Sequence, residues 1–217
     1  VFLDFLSGIM KTALGIFYEL TKTAGVPSYG IAIILLTIAI KLVLYPLTVK
    51  SVKSMKAMQE LQPKMKELQE KYKGNNEKLQ KEMAALYKDA GVNPLSGCLP
   101  LLVQMPFLIA IFYALQEFNY EEQYQSFLFL PNLAQPDPTY ILPVLSAATT
   151  WYQSKQTMTD NSQQNKMMLI FMPLFIGYIS LTFPGGLVLY WVVSNIFQII
   201  QQYFMYRKPS EKAGEAR

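Results

Sequence analysis

The chain has 217 residues, 52% hydrophobic, 13% aromatic and 16% charged, with a formal net charge of +4. A soluble domain carries roughly a quarter charged residues. Here the deficit is local, with long charge-free runs around one lysine-rich block, the pattern of a multi-spanning membrane protein. There is no histidine, which excludes imidazole catalysis and histidine metal sites. The single cysteine, Cys98, can form no intrachain disulfide and reads as a small core residue. Neither a phosphate loop nor a dinucleotide glycine motif occurs, so no nucleotide site is expected.

Residues 1–27 come first. Phe2, Phe5, Leu6, Ile9, Met10, Leu14, Phe17 and Leu20 recur at three- and four-residue spacing among Asp4, Lys11, Glu19 and Lys22. That predicts an amphipathic helix lying in the extracytoplasmic interface of a membrane. The chain opens on Val1 with no cleavable signal in view, so an upstream segment is expected to have been removed.

Five spans are expected, at 28–49, 94–116, 139–156, 167–183 and 187–206. A helix of about 20 residues reaches about 30 Å, the thickness of a bilayer core. The third span is shorter than the first two and more polar, and Pro184-Gly185-Gly186 reads as a tight reversal between the last two. Between the first two spans, residues 50–93 hold Lys50, Lys53, Lys56, Lys64, Lys66, Lys71, Lys73, Lys78, Lys81 and Lys88. Loop 117–138 has Glu117, Glu121, Glu122 and Asp137 but no Lys or Arg. Lys155 and Lys166 flank the 157–166 loop, and the 207–217 tail carries Arg207, Lys208, Lys212 and Arg217. The positive-inside rule then places the N-terminus outside and the lysine block and C-terminal tail in the cytoplasm.

The lysine block has its own pattern. Met58, Leu61, Met65, Leu68 and Tyr72 form one narrow seam; Leu79, Met83, Leu86 and Ala90 form another beyond Lys73-Gly74-Asn75-Asn76. Two such seams around a polar turn predict an antiparallel helical hairpin, with Pro63 starting or kinking the main part of its first arm. It serves either as a solvated basic element near anionic lipid or as a docking arm for a nascent chain or targeting factor.

One residue breaks the apolar pattern. Lys41 lies twelve residues into the first span, about 18 Å from Tyr29, where a lysine costs on the order of 2.5–3.5 kcal/mol on insertion scales. No Asp or Glu occurs in any of the five spans, so the ammonium must be solvated by water or neutral polar groups. Those groups lie in stripes: Thr37, Lys41, Tyr45 and Thr48; Gln104; Ser146, Thr149, Thr150 and Gln153; Trp191, Ser194, Asn195, Gln198, Gln201 and Gln202. Together they predict an inward-facing hydrated cavity.

Motifs in the same order carry a resemblance. T-I-A-I-K-L-V-L-Y-P-L-T, L-Q-P-K-M-K-E-L, N-P-L-S-G-C-L-P-L-L-V-Q-M-P, Y-I-L-P and F-P-G-G-L-V-L-Y-W-V-V-S-N resemble the YidC family of membrane protein insertases, in the YidC–Oxa–Alb superfamily. The resemblance implies an all-α membrane protein: five transmembrane helices around a hydrophilic groove, open to cytosol and lipid and closed outward, with the interfacial helix and the cytoplasmic hairpin attached. It makes Lys41 the groove's charge, with Thr37 a turn away and Trp191 across from them. It also puts Met105, Pro106, Phe175 and Tyr178 on the surface along which an incoming transmembrane segment slides. Gln104, Ser146, Thr150, Gln153, Ser194, Asn195 and Gln198 complete the expected lining.

The implied activity is not enzymatic: insertion of short-tailed membrane proteins from the cytosol into a bacterial plasma membrane, with no catalytic residue, metal or cofactor. Expected partners are nascent membrane proteins with acidic or short polar translocated tails and membrane lipids, with the ribosome, signal recognition system and Sec translocon as candidates. Many members have arginine at the position of Lys41; lysine keeps the charge but loses the planar fork, which puts bidentate capture of a carboxylate in doubt. Rival readings are a lipid scramblase-like protein or assembly-only chaperone, a small transporter, for which internal repeats are lacking, and a hydrolase using Ser194 and Lys41, which no motif supports.

Overall fold

A computed structural model describes residues 2–93, 99–118, 120–121, 124–158 and 163–207. Cys98, Glu122, residues 159–162 of the 157–166 loop and the tail beyond Arg207 therefore lie outside the described residues. Helices make up the fold: α1 (Phe2–Thr23), α2 (Tyr29–Val43), α3 (Tyr45–Glu60), α4 (Gln62–Lys71), α5 (Asn76–Asp89), α6 (Leu99–Gln116), α7 (Ile141–Thr157), α8 (Gln163–Ser180) and α9 (Gly185–Arg207). Among the described residues the extended pairing is one isolated antiparallel bridge, Phe127 with Leu130.

The first expected span does not run straight. It breaks at Leu44, and α2 and α3 meet at 65°. Pro46 explains the position of the break. It lies in the first turn of α3, where its missing N–H costs nothing; further inside a helix it would remove a bond. α3 carries the chain on to Leu61, where Pro63 opens α4 in the same way. The α4–α5 turn uses Gly74 at φ 93°, and the Asn75 side chain accepts from the Lys78 N–H at 3.1 Å to cap α5. Between the two arms the Tyr87 hydroxyl reaches the Met65 sulfur at 3.7 Å.

Among the described residues no single helix is long and apolar enough to cross a membrane, although α2 and α3 pass that test together. The reason is visible in α9, 23 residues long, whose mean hydropathy is lowered by Ser194, Asn195, Gln198, Gln201 and Gln202. Those five are buried. Its polarity is turned inward, not toward the surroundings.

The main packing runs from α8 to α7, α9, α2, α1 and α6, with a weaker return from α6 to α9. α1 presents Ser7, Met10, Leu14, Tyr18 and Thr21 to this bundle, while Phe2, Phe5, Ile16 and Leu20 stay exposed. Lys11 and Lys22 tie it to the segment after α6 through Glu117 at 2.9 Å and Glu121 at 3.5 Å.

Burial divides the molecule into two halves. Near the starts of α2 and α9 the core is apolar, with Ala32, Ile33, Leu36, Ala110, Ile111, Leu115, Leu187, Val188 and Tyr190. Loop residues Leu130 and Leu133 close that end: the Gly185 N–H donates to the Gln135 carbonyl and the Gly186 N–H to the Leu133 carbonyl, both at 2.8 Å. A Cβ on Gly186 would stand 3.2 Å from Ile33 and 3.3 Å from the Leu133 oxygen, a close approach that glycine makes without displacing either neighbour. Tyr29 stacks on Tyr18 at 4.0 Å and meets Phe118 and Tyr120 edge-on. Beyond Ile40 on α2 and Val192 on α9, the buried side chains of these two helices are polar.

Candidate functional site

Lys41 lies at the junction of the two halves, on the last turn of α2. It is 6% exposed. Its ammonium donates to Gln104 Oε1 at 3.2 Å and to Gln198 Oε1 at 3.3 Å. An ammonium has three donors, and two are met by neutral amides from α6 and α9. Gln104 is fixed in turn, since its amide nitrogen donates to the hydroxyl oxygen of fully buried Tyr190. A positive charge is thus held inside the bundle by dipoles, with no carboxylate in α2, α6, α7, α8 or α9.

A second cluster joins α7 to α9. Thr150 Oγ1 accepts from Trp191 Nε1 at 3.0 Å and from Asn195 Nδ2 at 2.9 Å. Asn195 also donates to Thr149 Oγ1 at 3.2 Å. Asn195 and Gln198 are three residues apart on α9, one helical turn, so the two clusters adjoin. Ser194 is buried beside them and Gln153 is half-buried.

Two expected lining residues are engaged elsewhere. Thr37 is fully buried and donates to the Ile33 carbonyl of its own helix at 2.7 Å, so its hydroxyl is spent on the backbone one turn from Lys41. Ser146, also fully buried, donates to the Pro143 carbonyl and lies 2.9 Å from Ser180 Oγ. It joins α7 to α8 rather than to the Lys41 network. Tyr190 and Ser180 were not anticipated. Tyr190 could have been found by extending the Ser194–Gln198 spacing one turn back along α9; nothing local marks Ser180.

Met105, Phe175 and Tyr178 are exposed at 43%, 43% and 70%, and Pro106 is half-buried within α6. Phe171 stacks on Phe175 at 5.9 Å, and Leu174 is exposed beside them. α6 and α8 are not among the main packed pairs. They draw together at the apolar end, where the Phe112 ring lies 5.9 Å from that of Phe183, just after α8.

An all-helical bundle with a neutral-solvated charge at its centre and apolar outer faces is the build of a polytopic membrane protein. The sequence pattern of the 60Kd inner membrane protein family matches residues 20–212, and the chain belongs to that family, which includes the YidC membrane protein insertases. It is 46% identical over 199 residues to the membrane protein insertase YidC of Clostridium perfringens, covering 87% of this chain and 83% of that one. Its identity to the YidC of Alkalihalophilus pseudofirmus is 45%, over 82% of this chain and 72% of the other. Identity to the YidC of Geobacter sulfurreducens is also 45%, but the chain spans only 34% of that longer protein. Among solved structures, that of an active YidC insertase with its first transmembrane domain resolved is similar at TM-score 0.74 and 28% identity, over 91% of this chain and 46% of the other.

Proposed function

We propose that this chain is a membrane protein insertase that takes short-tailed membrane proteins from the cytosol into the bilayer, through a lipid-open hydrophilic groove centred on Lys41. The observation that carries the reading is the Lys41 ammonium, buried and held, among the described residues, by the neutral Gln104 and Gln198 amides. A structural charge would be expected to have an opposite charge beside it. This one is left free to meet a carboxylate that arrives with the substrate.

In this scheme Thr150, Gln153, Trp191, Ser194, Asn195 and Gln198 keep the groove wet on the cytoplasmic side, and Thr37 and Ser146 support its walls. The apolar end, closed by loop 117–138, faces outward. The lysine-rich α4–α5 hairpin stands in the cytosol. Five crossings are made by the bent α2–α3 pair, α6, α7, α8 and α9, with α1 in the outer interface. The gap between α6 and α8 opens to lipid, and Met105, Pro106, Phe175 and Tyr178 give an incoming helix its apolar track.

The energetics need no fuel. Inserting about 20 apolar residues yields about 6–12 kcal/mol, enough to offset passage of a short polar tail once its dry path is shortened. A carboxylate at about 4 Å from Lys41 gains up to about 4 kcal/mol at effective ε near 20, before its desolvation. The test is insertion of an acidic-tailed single-span substrate by reconstituted protein. Lys41→Arg should retain insertion and Lys41→Glu should lose it; full activity in Lys41→Glu would refute the charge role.

A further inference from the structure

α9 carries a row at four-residue spacing: Tyr190, Ser194, Gln198, Gln202 and Tyr206. Tyr190 and Gln198 are tied into the Lys41 network. Beyond Gln198 the row changes character. Gln202 is fully buried, yet neither its amide nitrogen nor its amide oxygen meets a hydrogen-bond partner among the described residues. The same holds for Gln201 Nε2, for the Tyr206 hydroxyl, and for Gln156 Oε1 on the last turn of α7.

What lies over this end of α9 is α3. Its buried side is Ser51, Val52, Met55 and Met58, and α9 is its main packing partner. The hold is at the edges: Lys56 Nζ donates to the Tyr206 carbonyl at 3.5 Å, and Gln59 Nε2 donates to the carbonyls of Gln156 and Met158 at 3.0 Å each. A largely apolar helix face thus covers a run of unpaired amides, the costliest place to leave them. A second state in which those groups are paired would relieve that cost.

We propose that Gln156, Gln201, Gln202 and Tyr206 form a binding subsite for the backbone of an extended polypeptide, uncovered when α3 swings about the break at Leu44. The occupant, the polar tail of a substrate, rests on the insertase reading above; the subsite itself does not. A glutamine amide offers one acceptor and two donors without charge, the complement of a peptide group, which needs both a donor and an acceptor. Recognition there is indifferent to side-chain sequence. From Gln198 to Tyr206 the row runs eight residues, about 12 Å, which is about four residues of extended chain. The tail meets this tier before it reaches Lys41.

The test uses the full chain in proteoliposomes and a soluble, uncharged, fluorescent Ser/Asn/Gly peptide, with binding followed by anisotropy beside the thermal unfolding of each variant. Gln202→Leu should raise the melting temperature, because the two unpaired atoms of the Gln202 amide are removed, and should weaken peptide binding about tenfold, about 1.4 kcal/mol. Thr12→Ala, on exposed α1 and away from the α3–α9 contact, should leave peptide binding unchanged. A glutamine that serves only structure would instead lower the melting temperature when replaced. An idle one would leave binding intact; either result overturns the subsite. Gln202→Met, close in length, replaces Leu if that variant does not accumulate. Peptide binding that passes this test in a chain inserting no substrate would refute the insertase reading alone.

Discussion

Replacing Gln104 by leucine isolates the interaction that holds the buried charge. The change removes one of the two bonds made by the Lys41 ammonium and leaves the Tyr190 hydroxyl without its donor. Bonds to charged groups contribute about 1.5–3 kcal/mol. The 3.2 Å contact to Gln104 is longer than the 2.7–2.9 Å typical of short charge-assisted bonds, so the lower figure, about 1.5 kcal/mol, applies. Stranding the Tyr190 hydroxyl adds about 1 kcal/mol. The total of about 2.5 kcal/mol corresponds to a fall in melting temperature of roughly 5–10 °C for a chain of this size. Thermal unfolding of the reconstituted protein, read by tryptophan fluorescence, measures it. In a Lys41→Met background the same substitution loses no ammonium bond and should cost only the Tyr190 part, a coupling of about 1.5 kcal/mol. Equal cost in both backgrounds would show that Gln104 does not solvate the charge, and the account of the site would fall with it.

Two further expectations concern the closed end and the start of α7. Asp137, 3% exposed, accepts from the Thr139 N–H and hydroxyl at 2.8 and 2.6 Å and from the Leu142 N–H at 2.8 Å. Burial alone would raise its pKa, but these bonds and the Ile141 N–H outweigh it and hold the carboxyl below the ordinary value of 3.8. Asp137→Ala should therefore cost about 1–2 kcal/mol at neutral pH. Since the folded pKa is the lower one, this stabilisation is complete above the unfolded carboxylate value and is lost as pH falls through the folded one. Melting curves from pH 7 to pH 3 should show the variant and the parent converging in acid. Separately, a Cβ on Gly30 would fall 2.1 Å from the Phe127 ring. Gly30→Ala should cost about 1–3 kcal/mol through overpacking, and Phe127→Ala should recover part of that loss in the double variant, again read by thermal unfolding.

Periodicity marked the helices of this chain well, because buried faces recur every three or four residues whatever they pack against. It also marked the polar stripes, and the lack of any acid in the spans required Lys41 to find neutral partners. Which partners it found was not legible. Gln104 lies 63 residues from Lys41 in sequence and Gln198 lies 157 away; their meeting is set by how α2, α6 and α9 pack. Thr37 and Ser146 show the same limit from the other side. Both stand on the expected faces, yet a buried hydroxyl can satisfy itself on its own helix, and each does. The bend at Leu44 had a local sign in Pro46, but a proline at the start of a helix and one inside a helix look alike until the helix ends are known.

The closed apolar end has an electrical consequence. With the Lys41 half hydrated, as proposed, a transmembrane voltage does not fall evenly over the about 30 Å of a bilayer core. It falls mainly over the stretch from Lys41 to the Tyr18–Tyr29 stack, twelve residues of α2 and about 18 Å, so the local field is steeper by roughly two-thirds. A negative side chain leaving Lys41 would then do nearly all of its electrical work, about 2.3 kcal/mol per 100 mV, in one short passage through the aromatic collar. In that scheme the apolar end would also act as the capacitor gap.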